Sequence, residues 1–217
     1  MAFTYFFRDL YTLELIIKHV VPHVAGRSKV RIWDAGCATG QEPYSLAIMF
    51  AENMGQFAFR NLRIDATDVD ESNLFEKIIS QGLYPEEDLK RIPGGLFRKY
   101  FRPSEKAGYF RIDSIVRSRV YYQRHNLLSL QPVGDGYSLV VCKNVLLHFQ
   151  PEGRAEVLKM FHRALAPGGY LAMEQTQKLP RETAYLFEQV TDDAQLFRKV
   201  DVHSAGNTLK DSVGNDC

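Results

Sequence analysis

The feature that most constrains the fold is a short segment typical of a buried strand, followed by a turn that contains glycine. Residues 30–34 (VRIWD) are typical of a buried strand, and Gly36 and Gly40 lie in the turn that follows. Residues 42–53 come next and are predicted to form a helix. A strand, a glycine turn and a helix in this order indicate the first unit of a parallel α/β sheet.

The alternation of strands and helices recurs along the chain. Before the first strand, apolar residues recur at helical spacing from Leu10 to Val20, and Pro22 is expected to end this helix. Further strands are predicted at residues 62–67, 120–123, 137–142 and 170–173, further helices at 70–80 and 151–166, and a turn at 167–169. Residues 186–190 and 196–200 are predicted to form a closing antiparallel pair. The fold class is therefore α/β, with a mainly parallel sheet.

Residues 82–119 interrupt this rhythm. They contain several proline and glycine residues, which break regular elements, and they alternate in polarity around residues 109–112. We interpret them as a small inserted β-subdomain, called the insert below, with a short helix and one or two antiparallel hairpins. Residues 1–202 would then be one domain, and the polar, glycine-bearing residues 203–217 are expected to be a flexible tail.

Composition and charge narrow the class of protein. The chain has 217 residues, of which 45% are hydrophobic, so it can bury the core of one domain. No apolar run approaches the roughly 20 residues of a membrane span, and the start lacks the basic-then-apolar pattern of a secretion signal, so we expect a cytoplasmic protein. The net charge is +1 and no long block of Lys and Arg occurs, so no nucleic-acid partner is expected.

The cysteine and histidine residues indicate neither a disulfide framework nor a metal site. The three cysteines have no such spacing, and Cys37 and Cys142 fall in or beside apolar segments, where buried thiols are expected. His19 and His23 are four residues apart, but Pro22 lies between them and no acidic residue accompanies them. We therefore expect no bound metal.

The glycine turn predicts the class of cofactor. Its pattern, Asp34-x-Gly36-x-Ala38-x-Gly40, departs from the G-x-G-x-x-G turn of dinucleotide binders, because Ala38 stands at the second glycine position. It matches the acidic-x-Gly-x-Gly-x-Gly turn of S-adenosylmethionine binders, with alanine as a tolerated small residue. Gly36 is accordingly a candidate cofactor-binding residue, since glycine lets a ligand approach the main chain.

A second acidic residue supports a nucleoside ligand. Asp68 follows the second predicted strand, where a carboxylate can accept hydrogen bonds from both ribose hydroxyls. A helix N-cap is the alternative role for Asp68, although Asp70 could serve it equally well. The sequence thus predicts a class I S-adenosylmethionine-dependent methyltransferase fold, which is Rossmann-like, with S-adenosylmethionine as cofactor and S-adenosylhomocysteine as product.

Five motifs narrow this prediction to a known family. Residues 4–9 (TYFFRD) resemble T-x-F-F-R-[DE], and residues 36–47 (GCATGQEPYSLA) resemble G-C-S-T-G-E-E-P-Y-S-L-A. Residues 66–70 (ATDVD) resemble A-T-D-I-D, residues 126–128 match N-L-L, and residues 142–149 (CKNVLLHF) resemble C-R-N-V-L-I-Y-F. In motifs and in their order, the chain resembles the chemotaxis-receptor protein-glutamate O-methyltransferases of the CheR type.

The resemblance implies roles for residues of these motifs. Thr4 and Arg8 would close over the cofactor, and Arg8 would reach its carboxylate or the substrate. Glu42 would hold the methionine ammonium, and Asp68 would bind the ribose. Arg8 is therefore a candidate for a catalytic role as well as for cofactor binding.

The later motifs are implied to complete the site. Asn126 and Leu127 would frame the adenine, and Asn144 with Val145 would line the floor near the sulfonium. The insert corresponds to the family's β-subdomain, which in some members tethers a peptide at the C-terminus of the receptor. The implied partner is a chemoreceptor-like protein, and the sequence does not indicate an oligomeric state.

The chain also departs from the family pattern. A helical N-terminal domain usually precedes the first motif, so we expect a catalytic domain without it, and Ala2 stands where some members have a cofactor-contacting Asn. Gln41 replaces the first Glu of the usual pair, which leaves the ammonium contact to Glu42. His148 replaces the usual Tyr near the methyl group, and residues 174–176 (EQT) replace the usual Gly-x-Ser-Glu. The last two changes concern the acceptor pocket.

Methyl transfer to a carboxylate needs no general base, because a glutamate with a pKa of about 4.3 is ionised at neutral pH. We therefore expect no catalytic triad, and the candidate catalytic residues are Arg8 and His148. His148 could be a pocket wall, a hydrogen-bond donor to the substrate or a neutral packing residue.

The sequence is compatible with three functions. The first is a protein-glutamate O-methyltransferase that acts on a chemoreceptor-like helix. The second is a methyltransferase of the same fold that acts on another protein, a small molecule or RNA. The third is a non-catalytic module that binds S-adenosylmethionine.

Overall fold

The structure is a computed structural model, and it describes residues 4–201 of the chain. The strands are β1 (Val30–Ala35), β2 (Leu62–Asp68), β3 (Leu83–Pro85), β4 (Phe101–Pro103), β5 (Tyr109–Ile112), β6 (Val120–Arg124), β7 (Tyr137–Cys142), β8 (Leu165–Met173), β9 (Phe187–Gln189) and β10 (Leu196–Lys199). The helices are α1 (Leu10–Val24), α2 (Gln41–Asn53), α3 (Gln56–Phe59), α4 (Phe75–Gln81), α5 (Glu86–Leu89), α6 (Gly94–Tyr100), α7 (Ser114–Arg117), α8 (Pro151–Ala164) and α9 (Arg181–Ala184). Single-turn 3₁₀ helices cover Leu127–Ser129 and Leu146–His148. Ala2, Cys217 and the predicted tail at 203–217 lie outside the described residues.

The strands of the main sheet are ordered β6-β2-β1-β7-β8-β10-β9. The first five pair in parallel, whereas β10 runs antiparallel to both β8 and β9. This is the α/β class with the closing antiparallel pair that the sequence predicts. The direction in which the chain adds strands reverses between β1 and β7, and ligands of such sheets bind outside the carboxyl ends of the strands at that point.

Two apolar layers cover the sheet. Successive residues of β1 point to opposite faces, so that Ile32 belongs to the cluster that includes Ile16 of α1 and Leu46 of α2, while Trp33 belongs to the cluster that includes Phe161 of α8. Each of these side chains is fully buried. Burial on both faces explains why apolar side chains of β1 do not simply alternate with polar ones.

The prediction that Pro22 ends the first helix was wrong. Helix α1 continues through Pro22 to Val24, and the N–H of Ala25 donates to the Pro22 carbonyl at 3.3 Å. A proline in the last turn removes only one backbone donor, which the packing of the rest of the helix can outweigh.

The helix predicted at residues 70–80 begins later, at Phe75 in α4. The carboxylate of Asp70 accepts hydrogen bonds from the Ser72 hydroxyl and from the N–H groups of Leu74 and Phe75. Asp70 itself has a φ of 37°. An aspartate that bonds its own following backbone competes with the helix and makes a turn.

The turn predicted at 167–169 lies within a strand. Helix α8 ends at Ala164, and β8 runs without a break from Leu165, with an irregular register against β7. Gly168 has a φ of 67°, and a Cβ on Gly169 would lie 2.8 Å from the Tyr137 carbonyl. These glycines therefore permit a bulge and a close strand approach.

The insert forms a separate antiparallel sheet of three strands in the order β3-β5-β4, and antiparallel pairing was predicted there. Two of its aromatic residues hold Phe6 from the N-terminal segment: the ring of Phe6 meets Tyr84 edge-on at 5.0 Å and Phe101 at 5.5 Å. The Tyr84 hydroxyl also donates to the Thr39 carbonyl at 2.8 Å. The insert thus packs directly on the turn after β1.

Gly40, at the end of that turn, is enclosed by side chains. Its φ is +96°, and an added Cβ would lie 2.7 Å from Cγ1 of Ile79 and 2.8 Å from the hydroxyl of Tyr84. Both a left-handed backbone and the packing of α4 and β3 therefore exclude a side chain at this position.

We predict that Gly40→Ala lowers the free energy of unfolding by about 2–5 kcal/mol, because it adds strain at positive φ to overpacking. Urea denaturation would measure the loss. Gly55→Ala is the matched control, because Gly55 has a φ of +74° but nothing within 4 Å of an added Cβ. Equal losses in the two variants would contradict the packing argument.

Candidate functional site

A cavity of about 730 Å³ opens at the carboxyl ends of β1, β2 and β7. Its volume is in the range of small-molecule sites. All ten residues that the sequence assigned to the site line it: Thr4, Arg8, Gly36, Glu42, Asp68, Asn126, Leu127, Asn144, Val145 and His148. They come from five separate segments of the chain, which the strand order brings together.

Asp68, the last residue of β2, is fixed by backbone donors. One carboxylate oxygen accepts from the N–H of Ala38 at 2.9 Å, and the other accepts from the N–H of Asp70 at 3.3 Å. The carboxylate thereby bridges the turn after β1 and the loop after β2. Asp70 makes the hydrogen bonds to the start of α4, so the N-cap alternative for Asp68 is not the one observed.

Glu42 forms an ion pair that the sequence did not reveal. The Lys143 ammonium lies 2.9 Å from the Glu42 carboxylate, and their side chains are 2% and 13% exposed. Burial acts to lower the pKa of Lys143, but the charge and hydrogen bond of Glu42 outweigh it and leave that pKa raised. The ammonium is therefore held charged inside the protein, next to the residue expected to contact the methionine end of the cofactor.

Asp34 lies beneath this pair and is fully buried. Neither of its carboxyl oxygens has a hydrogen-bond partner within residues 4–201. Burial raises the pKa of Asp34 well above its usual value, and the nearby negative charge of Glu42 raises it further. A neutral carboxylic acid avoids the cost of an unpaired buried charge.

The N-terminal segment crosses the cavity before α1. Nη2 of Arg8 donates to Oδ1 of Asn144 at 2.9 Å, and the Arg8 carbonyl accepts from Lys143 at 3.3 Å. The N–H of Phe7 donates to Oγ of Ser45 at 2.8 Å. Through these bonds the segment is attached to the loop after β7 and to α2, which both contribute residues to the cavity.

Gly36 permits a close contact between the turn after β1 and the side chain of Val145. A Cβ at Gly36 would lie 2.1 Å from Cγ2 of Val145, so glycine is required for Val145 to cover the turn. On the opposite wall, Oδ1 of Asn126 accepts from the N–H of Leu128 at 2.9 Å and starts the 3₁₀ turn. His125 packs edge-on against Trp33 just before it.

The loop after β7 carries residues that the sequence predicts on the acceptor side. His148 is exposed and lines the cavity, so the packing alternative is not supported. Arg154 of α8 holds this loop, because its guanidinium donates to the carbonyls of Leu146 at 3.2 Å and Phe149 at 3.3 Å. Among the described residues, none of 174–176 lines the cavity.

Sequence reasoning missed three contributors to the site. Lys143 was part of a quoted motif, but its partner Glu42 is distant in sequence. His125 and Arg154 lie next to motifs without belonging to them. A basic residue directly after a mainly apolar strand, as in β7, is the one signal that could have drawn attention to Lys143.

No metal centre is apparent in the part of the chain that the structure describes, where no three His, Cys, Asp or Glu side chains are grouped for one. The ring of His23 lies 2.9 Å from Arg27. Cys37 and Cys142 are buried free thiols, as predicted. None of the helices within residues 4–201 has the length and apolar character needed to cross a membrane.

Comparison with known proteins identifies the family. The family described as "CheR methyltransferase, SAM binding domain" matches residues 2–196. The chain belongs to this family. Its fold is accordingly that of the class I S-adenosylmethionine-dependent methyltransferases, and the cofactor of the matched domain is S-adenosylmethionine, as the turn after β1 predicted.

Individual relatives agree with this assignment. A chemotaxis protein methyltransferase 1 of Pseudomonas aeruginosa is 32% identical over 81% of the chain and 66% of its own length. A probable chemotaxis protein methyltransferase of Rhizobium etli is 29% identical over 87% of the chain and 72% of its own length. An uncharacterized 104.1 kDa protein of Rhodobacter capsulatus is 34% identical over 81% of the chain but only 18% of its own length. The chain thus spans only part of each of these relatives.

We predict that Lys143→Met lowers the free energy of unfolding by about 3–5 kcal/mol, because it leaves the Glu42 carboxylate buried without a counter-charge. Adding Glu42→Gln should restore most of the loss. Lys159→Met is the control, since Lys159 pairs with Glu156 at 2.7 Å on the surface and its loss should change stability little. A double variant no more stable than Lys143→Met would contradict the pairing.

We predict that Asp68→Ala weakens binding of S-adenosylhomocysteine by about tenfold or more, the effect of losing charge-assisted hydrogen bonds. Isothermal calorimetry would measure the dissociation constant. Asp68→Asn keeps an acceptor for the Ala38 N–H and should give a smaller loss. An unchanged constant in both variants would reject the ribose assignment, and thermal unfolding checks that each variant is folded.

Proposed function

We propose that this chain transfers the methyl group of S-adenosylmethionine to glutamate carboxylates of a chemoreceptor-like protein. The observation that carries the proposal is that all ten motif residues border one cavity at the reversal point of the sheet. The names of the relatives, chemotaxis protein methyltransferases, supply the class of acceptor. The activity is proposed for residues 1–202, with the insert at 82–119 as their β-subdomain.

The chemistry of the donor set fits the cofactor. Asp68 would accept the ribose hydroxyls with lone pairs left over from its two backbone donors, and Asn126 with Leu127 would frame the adenine. Glu42 would meet the methionine ammonium, and the Lys143 ammonium, 2.9 Å away, orients that carboxylate.

When bound, S-adenosylmethionine supplies a methyl carbon on a positively charged sulfur, and its transfer to a carboxylate oxygen gives a neutral ester and S-adenosylhomocysteine. No proton is moved, so the chain needs no general base. Its task is to exclude water and to hold the carboxylate oxygen close to the methyl carbon, at roughly 3–3.5 Å. The apolar side chains of Val145, Leu147 and Phe149, which line the cavity, support the first requirement.

Arg8 can hold the acceptor carboxylate close to the methyl carbon. Its guanidinium lies at the cavity and is oriented by Asn144, so it can pair with an incoming carboxylate while keeping a defined direction. His148 is exposed at the same cavity and is available as a wall or as a hydrogen-bond donor to the acceptor.

His148 also favours a second candidate function. A histidine in place of the family's tyrosine changes the acceptor side, so a methyltransferase acting on another protein, a small molecule or RNA is the alternative. A module that binds the cofactor without turnover is the third function, and the shared placement of Arg8 and His148 at the cavity counts against it.

The test is transfer from methyl-labelled cofactor to a cytoplasmic chemoreceptor fragment, followed by base treatment. Because carboxyl methyl esters hydrolyse in base and release methanol, we predict that the label becomes volatile. Label that stays with the protein through base treatment would indicate N-methyl or ether products and the second function. Cofactor binding without transfer to any acceptor would indicate a binding module.

A further inference from the structure

Two guanidinium groups contact one tyrosine ring at the edge of the site. The Cζ atom of Arg8 lies 6.0 Å from the centroid of the Tyr5 ring, and that of Arg91 lies 4.1 Å from it. Arg8 belongs to the N-terminal segment and lines the cavity, whereas Arg91 belongs to the insert. The ring of Tyr5, which is half-buried, therefore joins a cation of the cavity to a cation of the insert.

The charge of Arg91 is not neutralised by a neighbour. Arg91 is exposed, and within residues 4–201 it forms no salt bridge. The acidic residues nearest in sequence are Glu86, Glu87 and Asp88 of α5, and the carboxyl of Asp88 is hydrogen-bonded to Gln41. Stacking on Tyr5 instead gives the guanidinium a fixed position through a cation–π contact.

Other positively charged side chains around the cavity form hydrogen bonds or ion pairs with neighbouring groups. Lys143 is buried against Glu42, and Arg154 donates to two carbonyls of the loop after β7. Arg124 donates to the Val69 carbonyl at 2.8 Å and to Asn73 at 2.8 Å. Arg91 thus contributes an exposed positive charge beside the N-terminal segment that carries Arg8.

The insert as a whole carries a net positive charge. Residues 82–119 contain nine Lys and Arg but five Asp and Glu, whereas the full chain has 27 and 26. The rest of the chain therefore has 18 Lys and Arg (27 − 9) against 21 Asp and Glu (26 − 5). A net positive insert on a net negative remainder attracts an acidic partner to the side of the insert and raises its rate of encounter.

We propose that Arg91 determines specificity for acidic acceptor segments, by binding a carboxylate that flanks the methylated one and so directing the latter to Arg8. This rests on the proposed function, in which the acceptor is a glutamate carboxylate. Tyr5 positions both guanidinium groups, so that two negative charges of one segment meet two cations held on a common ring. Arg91 lies outside the cavity and acts on acceptor binding, with no part in the transfer step.

The test compares Arg91→Ala with Arg98→Ala, which removes an equally exposed charge from α6 of the same insert. The acceptor is a glutamate-rich helical peptide, and the reference, called the glutamine peptide, keeps one glutamate as the methyl acceptor and has glutamine in place of the flanking glutamates. We expect Arg91→Ala to raise KM for the acidic peptide roughly five- to tenfold, with kcat and the affinity for S-adenosylhomocysteine unchanged. Arg91→Lys should recover part of the loss, and about 1 M salt should remove the difference from wild type.

Peptide binding, followed by fluorescence anisotropy with S-adenosylhomocysteine present, gives a readout that does not need turnover. The proposal is overturned if Arg91→Ala behaves like Arg98→Ala, if the glutamine peptide is affected equally, or if cofactor affinity falls as well. A wild-type protein that binds the acidic peptide through Arg91 but forms no base-labile ester would reject the proposed function alone. Arg91→Glu, which should weaken binding further, distinguishes a charge effect from lost packing.

Discussion

The buried ion pair between Glu42 and Lys143 is the interaction on which the site depends. Lys143 directly follows β7, the strand next to β1 at the reversal point. Its ammonium contacts both Glu42 in the first turn of α2 and the carbonyl of Arg8. Three elements that enclose the cavity therefore converge on one positive charge. Because an unpaired charge in this place is costly, the three elements have to assemble together.

Much of the fold could be predicted, because its signals are local or periodic. Mainly apolar segments predicted β1 and β7, and the glycine turn predicted the connection from β1 to α2. The errors came where a side chain or a tertiary contact overrides the local pattern. Asp70 delays a helix by bonding its own backbone, and Gly168 bends a strand that the sequence alone splits into a turn and a strand.

The site was predicted through motifs, and the structure brings those residues together. The motifs could not indicate which contacts require glycine at two of these positions. Gly36 and Gly40 suggested close approach of a ligand, yet the atoms that exclude their side chains belong to Val145, Ile79 and Tyr84. Such reasons involve partners that are distant in sequence, and pattern alone carries no information about distance in space.

The aromatic contacts of Phe6 have a consequence for how such proteins can diversify. Phe6 sits two residues from Arg8 and is enclosed by Tyr84 and Phe101 of the insert. The insert is therefore not independent of the rest of the domain. A chimera that exchanges it between relatives would remove the ring contacts of Phe6 and weaken the attachment of the segment that carries Thr4 and Arg8. Recombination that keeps these contacts has to transfer residues 4–9 and the insert as one unit, although residues 10–81 separate them in the sequence.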